Sequence, residues 1–240
     1  MTDNYKKNLK LLTDNHVYSK EMEHDACGVG VIASTEGKKS REIVEYGIEA
    51  LKAVWHRGAV DADGKTGDGA GIHVEIPKDF FIEKIEVTGH DYDNSEICVG
   101  MIFLPRNDYS SQESCKTIVE SELTKNNFSI YGWRQVPVNP KILGEKAFQT
   151  MPEIIQVLFK SNDLNLIDKD LERKIYATRK KIENKAFELS LNNFYICSIS
   201  SKSIIYKGLY LAQAISDFYL DLKAKRFISR YAIFHQRLST

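Results

Sequence analysis

Several things are missing from this sequence, and each absence narrows what it can be. No apolar run approaches the roughly 20 residues needed to cross a bilayer; the longest, such as residues 98–104, fall far short. Net charge is missing too. Lysine plus arginine number 33 and so do aspartate plus glutamate, so no basic field is offered to nucleic acid or to an anionic membrane surface. The first 25 residues are polar and charged with no apolar centre, which excludes a secretory signal and leaves a cytoplasmic location. Cysteine is scarce: Cys27, Cys98, Cys115 and Cys197 form no C-x-x-C pair, and only His24 stands near one of them at ligand spacing. A metal site and a disulfide framework are both disfavoured, and free thiols in a reducing compartment are expected. Internal repeats and low-complexity linkers are absent as well. What remains is 240 residues with 42% apolar and 28% charged content, enough for one large domain or two small ones with a proper core.

The pattern that is present alternates strands with helices. Residues 1–22 read as a leader holding at most one or two weak helical turns. Small and β-branched residues predict a strand over 27–34, ended by a turn at 35–38. Ile43, Val44, Ile48, Leu51 and Val54–Trp55 follow a 3.6-residue period, so 41–56 is an amphipathic helix with Gly58 just past its end. A glycine loop at 66–71 feeds a strand at 72–76, and Pro77 precedes a short helix to Glu83. Further strands are expected at 97–104, 129–138 and 152–159, with helices at 110–126 and 166–189. Residues 194–200 and 203–206 read as a hairpin turning at Ser201-Lys202. A short helix at 211–217 and a last strand at 231–238 complete the chain. Paired strands and short turns favour an α+β fold with antiparallel sheets over a doubly wound parallel one.

Three places carry residue types suited to chemistry. Cys27 lies between a polar leader and Gly28-Val29-Gly30, an odd setting for a packing residue. An ordinary thiol, with a pKa of about 8.5, needs a base to become the reactive thiolate. Cutting the 26–27 bond would supply one, because a free α-amine titrates near 7.7–8.0, roughly where it can take the thiol proton. Cys98 and Cys197, in apolar runs, read as small buried hydrophobes. His56-Arg57 at a helix end is either a cation complementing the helix dipole or an arginine brought to a nucleophile. Arg237, in Phe234-His235-Gln236-Arg237-Leu238-Ser239-Thr240, is either an edge-strand residue or a planar fork for a small carboxylate, with hydroxyls beside it. His235 reads as structural, and Arg173, Arg179 and the neighbouring lysines as a solvated face. The 66–71 loop, Thr-Gly-Asp-Gly-Ala-Gly, matches no phosphate-loop pattern, places Asp68 where phosphate would be repelled, and leads into a strand. It reads as backbone packed closely against a site or another strand.

Taken together, His24-Asp25-Ala26-Cys27-Gly28-Val29-Gly30, His56-Arg57-Gly58-Ala59, the 66–71 loop with Ile72, and the 234–240 motif resemble the glutamine amidotransferase domain of the glutamate synthase large subunit. Trp133-Arg134-Gln135-Val136-Pro137 and Ile205-Tyr206-Lys207-Gly208 add to the likeness, which runs from about His24 to the last residue. More distant amidotransferases share the Cys-Gly start, a His-Arg-Gly or Tyr-Arg-Gly element and the Arg-x-Ser/Thr element, and lack the glycine loop.

The resemblance implies a four-layer α/β/β/α N-terminal-nucleophile sandwich, here incomplete, with residues 1–26 a removed leader and 27–240 the amidotransferase domain. It implies that Cys27 attacks the glutamine side-chain amide with its own α-amine as proton shuttle, through a γ-glutamyl thioester. Arg237 matches the residue that clamps the substrate α-carboxylate, Ser239 and Thr240 belong to the same motif, and Arg57 matches the arginine near the nucleophile. Leu238 stands where the family has an aromatic residue. The family's oxyanion-hole motif and its acidic residue for the α-amine fall beyond Thr240. Since an oxyanion donor is worth about 100- to 1,000-fold in rate, this chain alone is expected to be nearly inactive. No cofactor is expected in this domain; FMN and an iron–sulfur cluster are implied for downstream domains. The implied partners are L-glutamine, a downstream synthase domain that aminates 2-oxoglutarate, and a small subunit or ferredoxin as electron source. The alternative reading is an inactive amidotransferase-fold module that binds or regulates.

Overall fold

The computed structural model describes residues 3–15 and 28–237. The expectations for Cys27, Ser239, Thr240 and the end of the leader fall outside these residues.

Two four-stranded antiparallel sheets and seven α-helices make up the described residues, the α+β class expected. The first sheet has the order β1 (Gly28–Ala33), β8 (Tyr231–Gln236), β2 (Ala70–Glu75), β7 (Ser203–Gly208). Its two faces differ because side chains alternate along each strand. Ile32, Ala232, Phe234, Ile72, Val74, Ile204 and Tyr206 share one face by register and join the main core. The opposite face carries Val29 (68% exposed), Val31 (62%) and Ile233 (38%), with His73, His235 and Lys207 half-buried beside them. Helix α2 (Arg41–Ala53) packs its Val44, Ile48 and Leu51 stripe into the core face, and Ser40 caps it by accepting from the Ile43 N–H at 3.3 Å.

The second sheet, β4 (Phe128–Gln135), β5 (Glu153–Ser161), β3 (Cys98–Leu104), β6 (Tyr195–Ser200), is built by a βαββαβ run with α4 (Tyr109–Lys125) and α6 (Asp168–Glu188) as its crossovers. Cys115, Val119, Leu123, Leu171, Ile175 and Ile182 of these helices bury one face of the sheet with Cys98, Ile102 and Phe159. The other face, through Val99, Met101 and Leu158, shares the core of the first sheet, and α3 (Lys78–Val87) adds Phe80, Phe81 and Ile85. Deep in this core lies a charged pair. Arg134 Nη2 donates to Asp221 Oδ1 at 2.6 Å and Arg134 Nη1 to Gln156 Oε1 at 2.6 Å, while the Tyr206 hydroxyl donates to Asp221 Oδ2 at 3.0 Å.

Four readings need correction. Residues 194–200 and 203–206 are not a hairpin: β6 and β7 lie in different sheets, and the chain crosses between sheets at Ser201-Lys202. Ser200 Oγ accepts from the Lys202 and Ser203 amides, and Glu172 accepts from the Ser201 amide and hydroxyl, so the corner is fixed by side chains rather than by a ladder. Residues 3–14, expected to hold at most two weak turns, form a 12-residue helix, α1 (Asp3–Asp14), sustained by good helix formers. Helix α3 runs on to Val87 because Phe80, Phe81 and Ile85 anchor it in the core. Arg179 is not simply solvated: its guanidinium donates to the Ile196 carbonyl at 2.8 Å and to Glu183 at 2.7 Å. The remaining helices, α5 (Glu145–Thr150) and α7 (Ile215–Phe218), are short.

Candidate active site

One end of the first sheet gathers most of the sequence motifs. Gly28 and Ala70 are both register partners of Gln236, from either side of β8, so the start of β1, the end of β8 and the start of β2 lie level. Gly28 is the residue after Cys27, and Gln236 is the residue before Arg237.

Helix α2 gives way to a single 3-10 turn, Trp55–Arg57, which turns Arg57 back over the sheet. The Arg57 Cβ and Cγ lie 3.3 Å from where a Cβ on Gly28 would stand, so the arginine stem covers the strand start. Gly58 follows, and a Cβ there would overlap the Gln236 amide nitrogen; only glycine permits this approach.

The 66–71 loop is set from both sides. Asp63 accepts from the Thr66 hydroxyl at 2.6 Å, the Thr66 amide at 2.7 Å and the Lys65 amide, bonds that in this order hold its carboxyl well below the usual carboxylate range. Thr66 is buried, and its oxygen accepts from the Ala147 amide at the start of α5. Farther on, the Asp68 amide donates to the Ala59 carbonyl at 3.3 Å. Gly69, with φ at 122°, turns its carbonyl to two donors: the Arg237 amide at 2.7 Å and Gln236 Nε2 at 3.3 Å. Arg237 Nε lies 3.4 Å from Asp68 Oδ2. Both Asp68 carboxylate oxygens are buried without a hydrogen bond, as is Gln236 Oε1.

Arg57 and Arg237 therefore reach the same strand end, although 180 residues separate them in sequence (237 − 57). Arg237 adopts φ 80°, a left-handed conformation unusual outside glycine, which places a strained residue at the site. Sequence reasoning overlooked Asp68 and Gln236 as partners in this cluster. Asp68 was visible in the glycine loop, but nothing in a single chain paired it with residue 237.

The other chemistry-bearing residues lie elsewhere. Cys98, Cys115 and Cys197 are buried, as expected of the first and last. Burial pushes the Cys115 thiol up to about 11 and the Cys197 thiol up to about 12. Burial also lowers His235, with the Lys207 charge adding to it, and burial lowers His73. Among the described residues no group of three or more His, Cys, Asp or Glu is arranged to hold a metal ion, and no helix is long and apolar enough to cross a membrane. A cavity of about 780 Å³ between the end of β7 and the βαββαβ unit, lined by Phe103, Arg106, Met151, Tyr195 and Lys207, does not reach Gly28, Arg57, Asp68 or Arg237.

Residues 27–240 match the sequence profile of the class-II glutamine amidotransferases, and the chain belongs to that family. Within it, the similarity is to glutamate synthases. The NADPH glutamate synthase large chain of Azospirillum brasilense is 52% identical over 236 residues, covering 98% of this chain and 16% of that protein. The ferredoxin-dependent glutamate synthase 1 of Arabidopsis thaliana is 41% identical over 220 residues, covering 91% and 13%. The ferredoxin-dependent enzyme of Pyropia yezoensis is 38% identical over 239 residues, covering 96% and 15%. The chain thus spans less than a fifth of the length of these relatives.

Proposed function

We propose that this chain is a glutaminase domain working in a glutamate synthase, with Cys27 made N-terminal by removal of residues 1–26. The Cys27 Sγ forms a bond to the side-chain amide carbon of L-glutamine, and its thiol proton passes to the α-amine. That proton goes on to the departing nitrogen as the C–N bond breaks and ammonia leaves. Water then adds to the γ-glutamyl thioester, the C–S bond breaks, and glutamate departs as the thiol regains its proton. Arg237 grips the substrate α-carboxylate with help from Ser239 and Thr240, and Arg57 borders the nucleophile.

The observation that carries this reading is the register of Gly28 with Gln236 beneath the Arg57 stem. Gly28 follows Cys27 directly in the chain, so a nucleophile at position 27 belongs to the strand end that the two arginines border.

The released ammonia is passed to a downstream synthase domain that aminates 2-oxoglutarate in the cytoplasm. FMN and an iron–sulfur cluster belong to those further domains, and ferredoxin or a small subunit supplies electrons, in keeping with the names of the relatives. The bare face of the first sheet, with Val29, Val31 and Ile233, is where another β-layer packs in the four-layer sandwich.

The test uses the intact protein from its native source. Its mature N-terminus should be Cys27, and 6-diazo-5-oxo-norleucine should label Cys27 while abolishing glutamate release. Active enzyme that keeps residues 1–26, or label on Cys98, Cys115 or Cys197, would defeat the mechanism. A protein that never releases glutamate from glutamine would instead be the inactive module.

A further inference from the structure

We propose that Asp68 is a positioning residue: it holds the Arg237 guanidinium, and with Gly69 it makes the 66–71 loop the part that sets the grip on the glutamine α-carboxylate. This rests on the reading of Arg237 as the carboxylate clamp.

Three observations converge. The Arg237 backbone is left-handed at φ 80°, and such a conformation in a non-glycine residue persists only where neighbours hold it. Gly69 is one such neighbour: its carbonyl accepts from the Arg237 amide at 2.7 Å and from the preceding Gln236 side chain at 3.3 Å. Gly69 itself sits at φ 122°, a backbone that side-chain-bearing residues rarely adopt, so the loop needs glycine at that point. Finally, both oxygens of Asp68 are buried without a hydrogen bond, and the cation beside them is Arg237 Nε at 3.4 Å. The Asp68 side chain is 24% exposed overall, yet its two oxygens are the shielded part, and carboxylate oxygens shielded and unbonded are costly unless a charge balances them. Retaining one here is explained if its charge is used, and pairing through Nε fixes the rotation of the planar guanidinium. The loop that matched no phosphate-binding pattern thereby acquires a role.

The test compares variants of the intact enzyme. Asp68→Asn keeps the shape and removes the charge. It should raise KM for glutamine about tenfold, the loss of one charge-assisted contact, while kcat falls far less. Labelling of Cys27 by 6-diazo-5-oxo-norleucine, which carries the α-carboxylate, should slow in proportion. Labelling by iodoacetamide, which has none, should be unchanged, and Asp68→Glu should recover part of the loss. In an Arg237→Ala background, Asp68→Asn should add nothing. An unchanged KM, equal slowing by both reagents, or a full additive effect in the Arg237→Ala background would each overturn the proposal. If Asp68→Asn does not fold, Asp68→Ser decides: a raised KM at unchanged melting temperature supports the role, and an unchanged KM removes it. Should Arg237→Ala itself leave KM unaltered, the clamp reading fails, separately from Asp68.

Discussion

A residue's chemistry here is decided by how far it is withdrawn from water. The three described cysteines are carried in the core, where burial holds their thiols protonated at neutral pH; they fill space and do not attack. His73 and His235 lie on the more open face of the first sheet, yet both are held below the usual 6.5, His73 by burial and His235 by burial and then the Lys207 charge. A histidine whose folded pKa is lowered takes up its proton more readily when unfolded, so its folded state loses stability as pH falls below the unfolded value. We expect the urea midpoint to drop between pH 7.5 and pH 5.5. A His73→Gln, His235→Gln double variant should show a flatter profile over that window. An equally steep profile in the variant would assign the effect to other groups. Glu75 acts lower on the scale: burial raises its pKa, but the Arg230 side chain and amide, with Lys39, outweigh that, so its share is lost only below the ordinary carboxylate range.

Among the elements, α2 is the one whose position the site depends on, because the 3-10 turn that carries Arg57 is its direct continuation. It comes close to the sheet at Gly47, where a Cβ would overlap the Ala232 Cβ on β8. Helix propensity alone would favour alanine at this position by about 1 kcal/mol. Overpacking costs about 1–3 kcal/mol and should prevail, because neither backbone can retreat without breaking a sheet contact or the helix. Gly47→Ala is therefore expected to lower the unfolding free energy and to reduce kcat/KM by displacing Arg57. Adding Ala232→Gly should restore both, as read by denaturant melts and glutaminase assays on the same samples. Gly47→Ala more stable than the parent would show that the helix lies farther from the sheet.

At the scale of the whole molecule, the two sheets are tied by the pair of Arg134 on β4 and Asp221, with Tyr206 of β7 and Gln156 of β5 completing the bonds. Burial alone would lower the Arg134 pKa, and the Asp221 bond and charge more than offset it. Asp221 is 3% exposed, so losing its partner leaves a buried carboxylate without compensation. Arg134→Met should cost about 3–5 kcal/mol in urea unfolding. The double change Arg134→Met, Asp221→Leu should recover most of that, since removing both charges removes the penalty. A single variant within about 1 kcal/mol of the parent would mean water reaches the pair.

The sequence by itself determined the α+β class, most strand and helix positions, the burial of Cys98 and Cys197, and the family, because these follow from local periodicity and from motifs read along the chain. It left Arg57 and Arg237 each with a bland alternative. Only the tertiary structure decided that β6 and β7 part into different sheets, since alternation and a serine turn show a reversal but not which sheet receives the returning strand. Likewise it decided that Arg57 lies over Gly28 and that Asp68 faces Arg237. Those pairings join positions far apart in sequence, and strand register and packing fix them, neither of which a residue's near neighbours encode.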